Sequence, residues 1–426
     1  MSRKGDFRSG CSHTRVVKGA GVLVVAVALL PCLTGSAQPA PQAASYSVIA
    51  EFGSTLGAVP YAGLIADSAG NIYGTTVTGG AYGYGTVYEL PTTGGETVLY
   101  NFTGGGDGAQ PVASLLVDSK GNLYGTAELG GVFNDTCPSG CGVVFEVSHK
   151  GRERVLYAFT GGSDGYEPAS NLIHDSAGNL FGTTPFGGLT SSCVGDGLVG
   201  CGVVFEVSRS GQETVLYTFT GGADGAGPSY GLFRDLSGNL YGTTSSGGDL
   251  SSCVVGYGCG VVFKLDAGGN ETVLYTFTGG SDGGNPNSRL IQDAAGNLYG
   301  TTLIGGDLSC GVGYGCGVVF KLDSAGSETV LHTFTGPDGE DPVGGVVRNA
   351  STGALYGLAG GGGAYGFGCI FRVSIAGKES ILHSFDDTDG ANPIDVGGLL
   401  VHGGQLYGTT PYGGADYEGV AFKISP

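Results

Sequence analysis

The sequence predicts an all-β fold, a seven-bladed β-propeller of four-stranded blades, closed by the N-terminal strand completing the last blade. The first observation behind this prediction is the motif Gly-Asn-Leu-Tyr-Gly-Thr-Thr at 238–244, which recurs seven times with small changes. The copies lie 51 to 60 residues apart, which is close to the length of a propeller blade and long for a solenoid helix pair. Their aromatic residues are Tyr73, Tyr124, Phe181, Tyr241, Tyr299, Tyr356 and Tyr407.

The second observation is that each repeat contains four short runs rich in β-branched and aromatic residues. In the fourth repeat these runs are 214–219, 231–235, 239–243 and 261–265. Gly, Asp, Asn or Pro bounds each run, which is typical of strands joined by turns. The connecting turns are short, so consecutive strands are expected to pair in antiparallel fashion.

The third observation concerns the two ends of the repeat array. The last repeat has three strand-like runs, whereas the run 46–53 stands alone before the first repeat. A ring closed by its own termini explains both facts, because an open solenoid would need polar capping repeats. This closure places the 231–235 type of run on the axis and the 214–219 type at the rim. The cysteine-bearing loops and the connections between blades then share one face.

The first residues are interpreted separately from the fold. Basic residues precede an apolar run at 21–30, and small residues follow at 35–37, which is the pattern of a secretory signal peptide. The apolar run is too short to span a membrane. We therefore divide the chain into a signal peptide with a short linker at 1–40 and a single propeller domain at 41–426. An extracellular or periplasmic monomer without membrane insertion is expected.

The charge of the chain excludes two classes of partner. The sequence has 18 Lys and Arg against 37 Asp and Glu. Residues 1–37 contain five of the basic and one of the acidic residues, which leaves 13 against 36 and a formal net charge of −23. Nucleic acid and anionic lipid both require clustered Lys and Arg, so neither is an expected partner.

Eight cysteines form four close pairs at matching places in successive repeats. In an exported protein such pairs predict disulfides within loops, and no histidine stands at zinc-ligand spacing beside them. Cys369 occupies a place where other repeats have valine, so a buried free thiol is expected there. The predicted disulfides are Cys137–Cys141, Cys193–Cys201, Cys253–Cys259 and Cys310–Cys316.

Three motifs give the chain a family resemblance. They are Asp-x-x-Gly-Asn-Leu-Tyr-Gly-Thr-Thr at 235–244, Gly-Val-Val-Phe-Lys-Leu at 260–265, and Val-Leu-Tyr-x-Phe-Thr-Gly-Gly-x-Asp-Gly at 215–225. In these motifs the chain resembles the GloVer tandem-repeat proteins, named for Gloeobacter and Verrucomicrobia, over essentially all of its length after residue 40. The resemblance implies export and a repeat architecture, and it implies no established activity.

Two series of aspartates recur with the repeat. One series precedes x-x-Gly-Asn, as Asp235 does, and is interpreted as turn capping. The other follows the rim strand and is itself followed by glycine, which also favours an ordinary turn. Because six carboxylates on one face could supply oxygen ligands, Ca²⁺ binding remains the alternative for this second series. Its members are Asp107, Asp164, Asp224, Asp282, Asp338 and Asp389.

Four tyrosines on the face of the cysteine-bearing loops are the candidate ligand-binding residues. Tyr82, Tyr257, Tyr314 and Tyr365 each stand three residues before the glycine that opens the next strand. A tyrosine on an exposed glycine-rich loop offers a flat apolar face with a polar tip, which suits a sugar ring or a protein partner. The alternative is that these rings only cover the glycine-rich backbone beside them.

Signatures of an enzyme are thin. The sequence has no Gly-x-Ser-x-Gly elbow, no His-Glu-x-x-His and no P-loop. His174, Arg234, Gln292 and Arg348 share one repeat position and are interpreted as a solvent-exposed strand end, or else as a polar ring at one mouth of the channel. The sequence therefore favours an exported binding or scaffold module for carbohydrate or a surface protein. The alternative is a propeller hydrolase or lyase acting on extracellular polysaccharide.

Overall fold

Residues 44–426, except 54, 189–192, 196–197, 252, 254–256 and 395–396, are described by a computed structural model. The signal peptide predicted at 1–40 lies outside the described residues. Seven antiparallel four-stranded sheets account for nearly all regular structure in the described part of the chain. A two-stranded hairpin in the loop of the third blade and a 3₁₀ turn at Gly311–Gly313 complete it. This architecture confirms the seven-bladed β-propeller.

The strands are numbered in chain order, and the innermost strand of each blade is short in all blades but the sixth. These strands are β2 Ile65–Ala66, β6 Leu116–Val117, β10 Ile173–His174, β16 Phe233–Arg234, β20 Ile291–Gln292, β24 Glu340–Arg348 and β28 Leu400–His402. The second strands contain the repeated motif and are almost entirely buried. They are β3 Ile72–Thr76, β7 Leu123–Ala127, β11 Leu180–Thr184, β17 Leu240–Thr244, β21 Leu298–Thr302, β25 Leu355–Gly361 and β29 Gln405–Thr410.

The third strands are equally buried, whereas the outer strands are partly exposed. The third strands are β4 Thr86–Leu90, β8 Val143–Val147, β14 Val203–Val207, β18 Val261–Leu265, β22 Val318–Leu322, β26 Cys369–Val373 and β30 Val420–Ser425. The outer strands are β1 Ser45–Glu51, β5 Thr97–Asn101, β9 Glu153–Ala158, β15 Glu213–Thr218, β19 Glu271–Thr276, β23 Glu328–Thr333 and β27 Glu379–Ser384. The hairpin strands are β12 Val194–Gly195 and β13 Leu198–Val199.

The N-terminal strand completes the last blade, as the sequence predicts. Blade 7 has the order β1-β30-β29-β28. Tyr46 lies opposite Ile424 and Val48 lies opposite Phe422 in the antiparallel register. Because β1 precedes blade 1 in the chain and belongs to blade 7, hydrogen bonds between the two ends of the domain close the ring.

The hydrophobic core is a series of layers between neighbouring blades. Tyr241 of blade 4 packs with Leu290 and Phe320 of blade 5 in one such layer. An edge-to-face contact of 5.2 Å between the ring centroids of Phe219 and Phe263 joins blades 3 and 4, and the same contact recurs between other blades. The tyrosine of the repeated motif is thus a packing residue between blades.

The glycine of the repeated motif has a different role from the one we expect for it. Glycine inside a strand commonly permits a close backbone approach, and for Gly242 the sequence suggests the neighbouring blade. A Cβ at Gly242 would instead lie 2.6 Å from Cζ of Phe263 and 3.0 Å from Cδ2 of Leu232, both within the same blade. The expectation is wrong because the phenylalanine of the adjacent strand lies across the glycine.

Candidate functional site

The cysteine-bearing loops are closed by all four predicted disulfides. Cys137–Cys141, Cys193–Cys201, Cys253–Cys259 and Cys310–Cys316 are bonded, with Cα atoms 5.2 to 5.5 Å apart. Cys369 is a buried free thiol, and burial raises its pKa to about 12. It is therefore a protonated apolar residue and no nucleophile. The four disulfides fit an extracellular protein. No helix among the described residues is long and apolar enough to cross a membrane.

The four candidate tyrosines are exposed on this loop face. Tyr82 is 61%, Tyr257 71%, Tyr314 48% and Tyr365 63% exposed. They belong to blades 1, 4, 5 and 6, so the fold does not gather them into one pocket. One aromatic ring on this face does cover glycine backbone, since the Tyr84 ring lies against Gly104.

Tyr314 differs from the other three because it borders a cleft. The cleft encloses about 660 Å³ between blades 5 and 6. It is lined by Asn285, Ile304, Gly311, Tyr314, Gly315, Glu340 and Asp341. The 3₁₀ turn Gly311–Gly313 and the Cys310–Cys316 disulfide hold the Tyr314 backbone from both sides.

The polar side of this cleft is partly unsatisfied. The Asn285 side-chain oxygen is buried and has no hydrogen-bond partner among the described residues. Burial, reinforced by the neighbouring Glu340, raises the pKa of Asp341. Asn285 and Asp341 have the left-handed backbone angles φ 52° and 54°, which non-glycine residues adopt at a cost. An aromatic face therefore stands beside polar groups that a ligand could satisfy.

Hydrogen bonds hold the six aspartates that follow the rim strands, for which Ca²⁺ binding is the alternative to an ordinary turn. In blade 4, the Tyr275 hydroxyl donates to Asp282 at 3.1 Å and the Thr278 backbone N–H donates at 2.9 Å. The Thr278 hydroxyl donates to the second carboxylate oxygen. Asp107, Asp164 and Asp224 are held in the same way, while His332 and His383 replace the tyrosine beside Asp338 and Asp389.

A glutamate from the next blade faces five of these aspartates, an arrangement that we did not expect from the sequence. Glu328 begins the outer strand of blade 5, and burial together with Asp282 raises its pKa to about 7. One carboxylate oxygen of each such glutamate is buried without a hydrogen-bond partner in the described part of the chain. The five residues are Glu153, Glu213, Glu271, Glu328 and Glu379. The two members of a pair are 41 to 49 residues apart and in different blades, so local motifs do not reveal them.

The axial channel contains residues that break the repeat symmetry. Tyr61 and Tyr230 precede the inner strands of blades 1 and 4, which lie across the axis from one another, and Tyr61 helps to raise the pKa of Tyr230. The Arg289 side chain has exposed surface, and desolvation nevertheless lowers its pKa. At the mouth, burial and Glu167 raise the pKa of Glu128 to about 7.

The opposite face consists mainly of tight turns capped by the other aspartate series. Asp235 accepts hydrogen bonds from the backbone N–H groups of Ser237 and Asn239, both at 2.9 Å, and from the Tyr241 hydroxyl at 3.2 Å. This confirms turn capping. Of the four polar residues at the inner strand ends, Arg234 lies 5.8 Å from the ring centroid of Phe181 in the neighbouring blade.

The fold is shared with proteins of very different sequence. The extracellular domain of a one-component system candidate from B. thetaiotaomicron aligns with a TM-score of 0.52 and 10% identity, over 89% of this chain and 39% of that one. A gluconolactonase candidate gives 0.42 and 13%, over 74% and 89%. A luciferin-regenerating enzyme gives 0.44 and 13%, over 90% and 95%. The alignment with a TM-score of 0.52 shows the fold alone. No curated protein matches the chain.

Membership of a family rests on the repeats themselves. The model of the Gloeobacter/Verrucomicrobia repeat matches residues 38–249, 189–315 and 308–426. Together the three matches cover the whole propeller. The chain therefore belongs to the Gloeobacter/Verrucomicrobia repeat family.

Proposed function

We propose that this protein is an exported binding module that holds carbohydrate on its loop face, with the main contact at Tyr314. The observation that carries the proposal is the cleft between blades 5 and 6, where an exposed tyrosine stands beside an amide oxygen without a partner and two carboxylates. Sugar rings present C–H groups to an aromatic face and hydroxyl donors to such oxygens. The disulfide beside Tyr314 supports the proposal because a pre-formed site loses less entropy on binding.

The location follows from the same features. Disulfides form in oxidising compartments, and the leader predicted at 1–40 would direct the chain out of the cytoplasm. We propose a secreted or periplasmic location and a monomer that meets polysaccharide or a surface glycoprotein through the loop face. Tyr82, Tyr257 and Tyr365 would then supply weaker contacts with a long ligand on blades 1, 4 and 6.

The experiment that tests this proposal compares two tyrosines at the same repeat position. Binding to a panel of neutral oligosaccharides is measured for the protein and for Tyr314→Ala and Tyr257→Ala. Loss of the Tyr314 ring should weaken binding by about tenfold, as expected for a central aromatic contact. Loss of Tyr257, which borders neither described cleft, should weaken it by about threefold or less. No binding to any oligosaccharide, or binding unchanged by Tyr314→Ala, would exclude the proposed site.

One observation favours a second function, hydrolysis or cleavage of polysaccharide at the channel mouth. Glu128 has a pKa of about 7 beside a second carboxyl group, Glu167, whose pKa burial also raises, and glycosidases use paired carboxyl groups for catalysis. Release of reducing ends from polysaccharide, abolished by Glu128→Gln but not by Tyr314→Ala, would support this function. Binding without turnover would leave the binding module as the better description.

A further inference from the structure

A second cleft lies on the face opposite the disulfide loops, between blades 2 and 3. It encloses about 770 Å³. One wall is the turn of blade 2 that contains Asp118, Lys120 and Asn122, and the other is the turn of blade 3 that contains Asp175. Tyr124 lines it between these turns. The site lies on the other face of the ring from Tyr314, so it is independent of the function proposed above.

The repeat explains why a cleft opens at this position. In the next interface, Arg234 of blade 4 lies over the ring of Phe181 of blade 3 at 5.8 Å. Within blade 4, Lys264 lies 5.8 Å from the ring centroid of Tyr241. Cation–π contacts of this kind fill the space above an aromatic residue. Two of the seven motif aromatics, Phe181 and Tyr241, are therefore covered by a basic side chain from the next blade or from their own.

Both covering residues are replaced around Tyr124. His174 stands at the position equivalent to Arg234, and its Nδ1 lies 2.8 Å from the backbone oxygen of Asp175. Glu146 stands at the position equivalent to Lys264 and pairs with Arg154 at 2.6 Å. Tyr124 is only half-buried, whereas Phe181 and Tyr241 are 7% and 9% exposed. Its ring therefore faces the cleft without a covering cation among the described residues.

The cleft also collects basic groups that have no carboxylate partner. Lys120 and Arg209 line it and form no ion pair within the described residues. The Asp118 carboxylate, on the same turn as Lys120, already has hydrogen-bond partners. It accepts hydrogen bonds from the backbone of Lys120 and from Asn122 at 2.8 to 2.9 Å. Blades 2 and 3 contain five of the 13 Lys and Arg that follow residue 37, namely Lys120, Lys150, Arg152, Arg154 and Arg209. The lining therefore balances three basic groups, Lys120, Arg154 and Arg209, against three carboxylates, Asp118, Glu146 and Asp175, whereas the chain after residue 37 has 13 basic residues against 36 acidic ones.

We propose that this cleft is a binding site for an acidic saccharide, whose sugar ring lies on Tyr124 and whose carboxylate is bound by Arg209 and Lys120. Arginine binds a carboxylate through two parallel hydrogen bonds, and lysine adds a point charge. The ring of Tyr124 supplies the flat apolar face that sugars contact. His174 also lines the cleft, with its Nδ1 donating to the backbone oxygen of Asp175. A neutral sugar would leave the two cations without a partner, so the site selects the acid.

The test measures binding of tri-galacturonic acid and of its methyl ester by calorimetry at low ionic strength. The acid should bind, and the ester should bind about tenfold more weakly or not at all. Arg209→Gln should weaken binding of the acid by about tenfold, and raising the salt to about 300 mM should weaken it further because the contact is ionic. His174→Arg should also weaken it, since an arginine there would cover Tyr124 as Arg234 covers Phe181.

Matched variants separate the site from general effects on folding and charge. Tyr124→Phe keeps the ring and should retain binding, whereas Tyr124→Leu should lose it. Arg234→Gln removes an equal charge from the neighbouring interface and should leave the affinity unchanged. Tyr314→Ala, on the opposite face, should also leave the affinity for the acid unchanged. The failure of this proposal can therefore be distinguished from the failure of the loop-face proposal. The proposal is overturned if the protein does not bind the acid, binds the ester equally well, or is insensitive to Arg209→Gln.

Discussion

Between blades 4 and 5, Asp282 accepts a hydrogen bond from the Tyr275 hydroxyl and faces Glu328 of the next blade. Between blades 6 and 7 the equivalent residues differ. Asp389 pairs with His383 at 2.8 Å, and Tyr46 of the closing strand stands where the glutamate would be. The Tyr46 ring stacks on His383 with centroids 3.8 Å apart, and its hydroxyl donates to the backbone oxygen of Asp389 at 2.6 Å.

The two interfaces differ in whether continuous chain joins the facing residues or only non-covalent contacts do. A regular interface tolerates two facing carboxyl groups, which repel each other when both are ionised, because the chain runs continuously through the two blades. The closing strand of blade 7 is held to its own blade only by hydrogen bonds and packing. Its contact with blade 6 replaces the acidic pair by stacking and a neutral hydrogen bond, so the closure avoids that repulsion.

The largest effect is expected from removing the closing strand. Deleting residues 41–53 takes away β1 with Tyr46 and the fully buried Phe52, and it leaves β30 as a bare edge. Unpaired edges and exposed core surface promote aggregation, so a much lower melting temperature or aggregation is expected by thermal melting and size-exclusion chromatography. A chain that begins at Ala44 is the control. A deletion variant that remained monomeric with the original melting temperature would refute the closure.

A smaller effect separates the stack from the rest of the strand. Tyr46→Ala removes the ring that packs on His383, and a loss of about 3 kcal/mol in the free energy of unfolding is expected. Tyr46→Phe keeps the stack and removes only the hydroxyl bond, for which about 1 kcal/mol is expected. Denaturant unfolding measures both. Equal losses for the two variants would mean that the hydrogen bond to Asp389, and not the stack, secures the closure.

The sequence repeat made the architecture of the ring predictable. The strands, the ring, the closure at 46–53 and the loop disulfides all follow from local patterns that recur at one spacing, so each copy supports the others. The Asp282–Glu328 pair did not follow, because its members lie in different blades and each alone resembles an ordinary turn or strand residue. The cleft at Tyr124 is harder still to predict from the sequence, because it depends on His174 and Glu146 leaving the Tyr124 ring uncovered.

The regular interfaces should make stability depend on pH. The pKa of Glu328 in the folded protein, about 7, lies above its ordinary value of 4.5, so protonation favours folding. Its stabilising contribution is complete below about pH 4.5 and is lost as the pH rises to about 7. Replacing all five rim glutamates by glutamine should therefore stabilise the protein at about pH 8, by about 1 kcal/mol per site because solvent screens these half-buried pairs. At about pH 4.5 the gain should vanish.

Glu96→Gln is the matched variant for the interface between blades 7 and 1. Leu56 takes the place of the aspartate there, and the pKa of Glu96 is raised by burial and by Glu51. A smaller gain at about pH 8 is expected than at a regular site, measured by melting at both pH values. A gain as large as that of Glu328→Gln would mean that burial, and not the facing aspartate, accounts for the pH dependence.

The smallest expected effect concerns calcium at the regular interfaces. The Asp282 carboxylate already accepts three hydrogen bonds, two from Thr278 and one from Tyr275, so a cation would have to displace donors that hold the turn. We therefore expect the same melting temperature with Ca²⁺ and with a chelator. A rise with Ca²⁺ that Glu328→Gln diminished would instead indicate an ion bridging Asp282 and Glu328. Because no glutamate faces Asp389, the closure of blade 7 should not contribute to such a rise, and loss of Tyr46 should leave it unchanged.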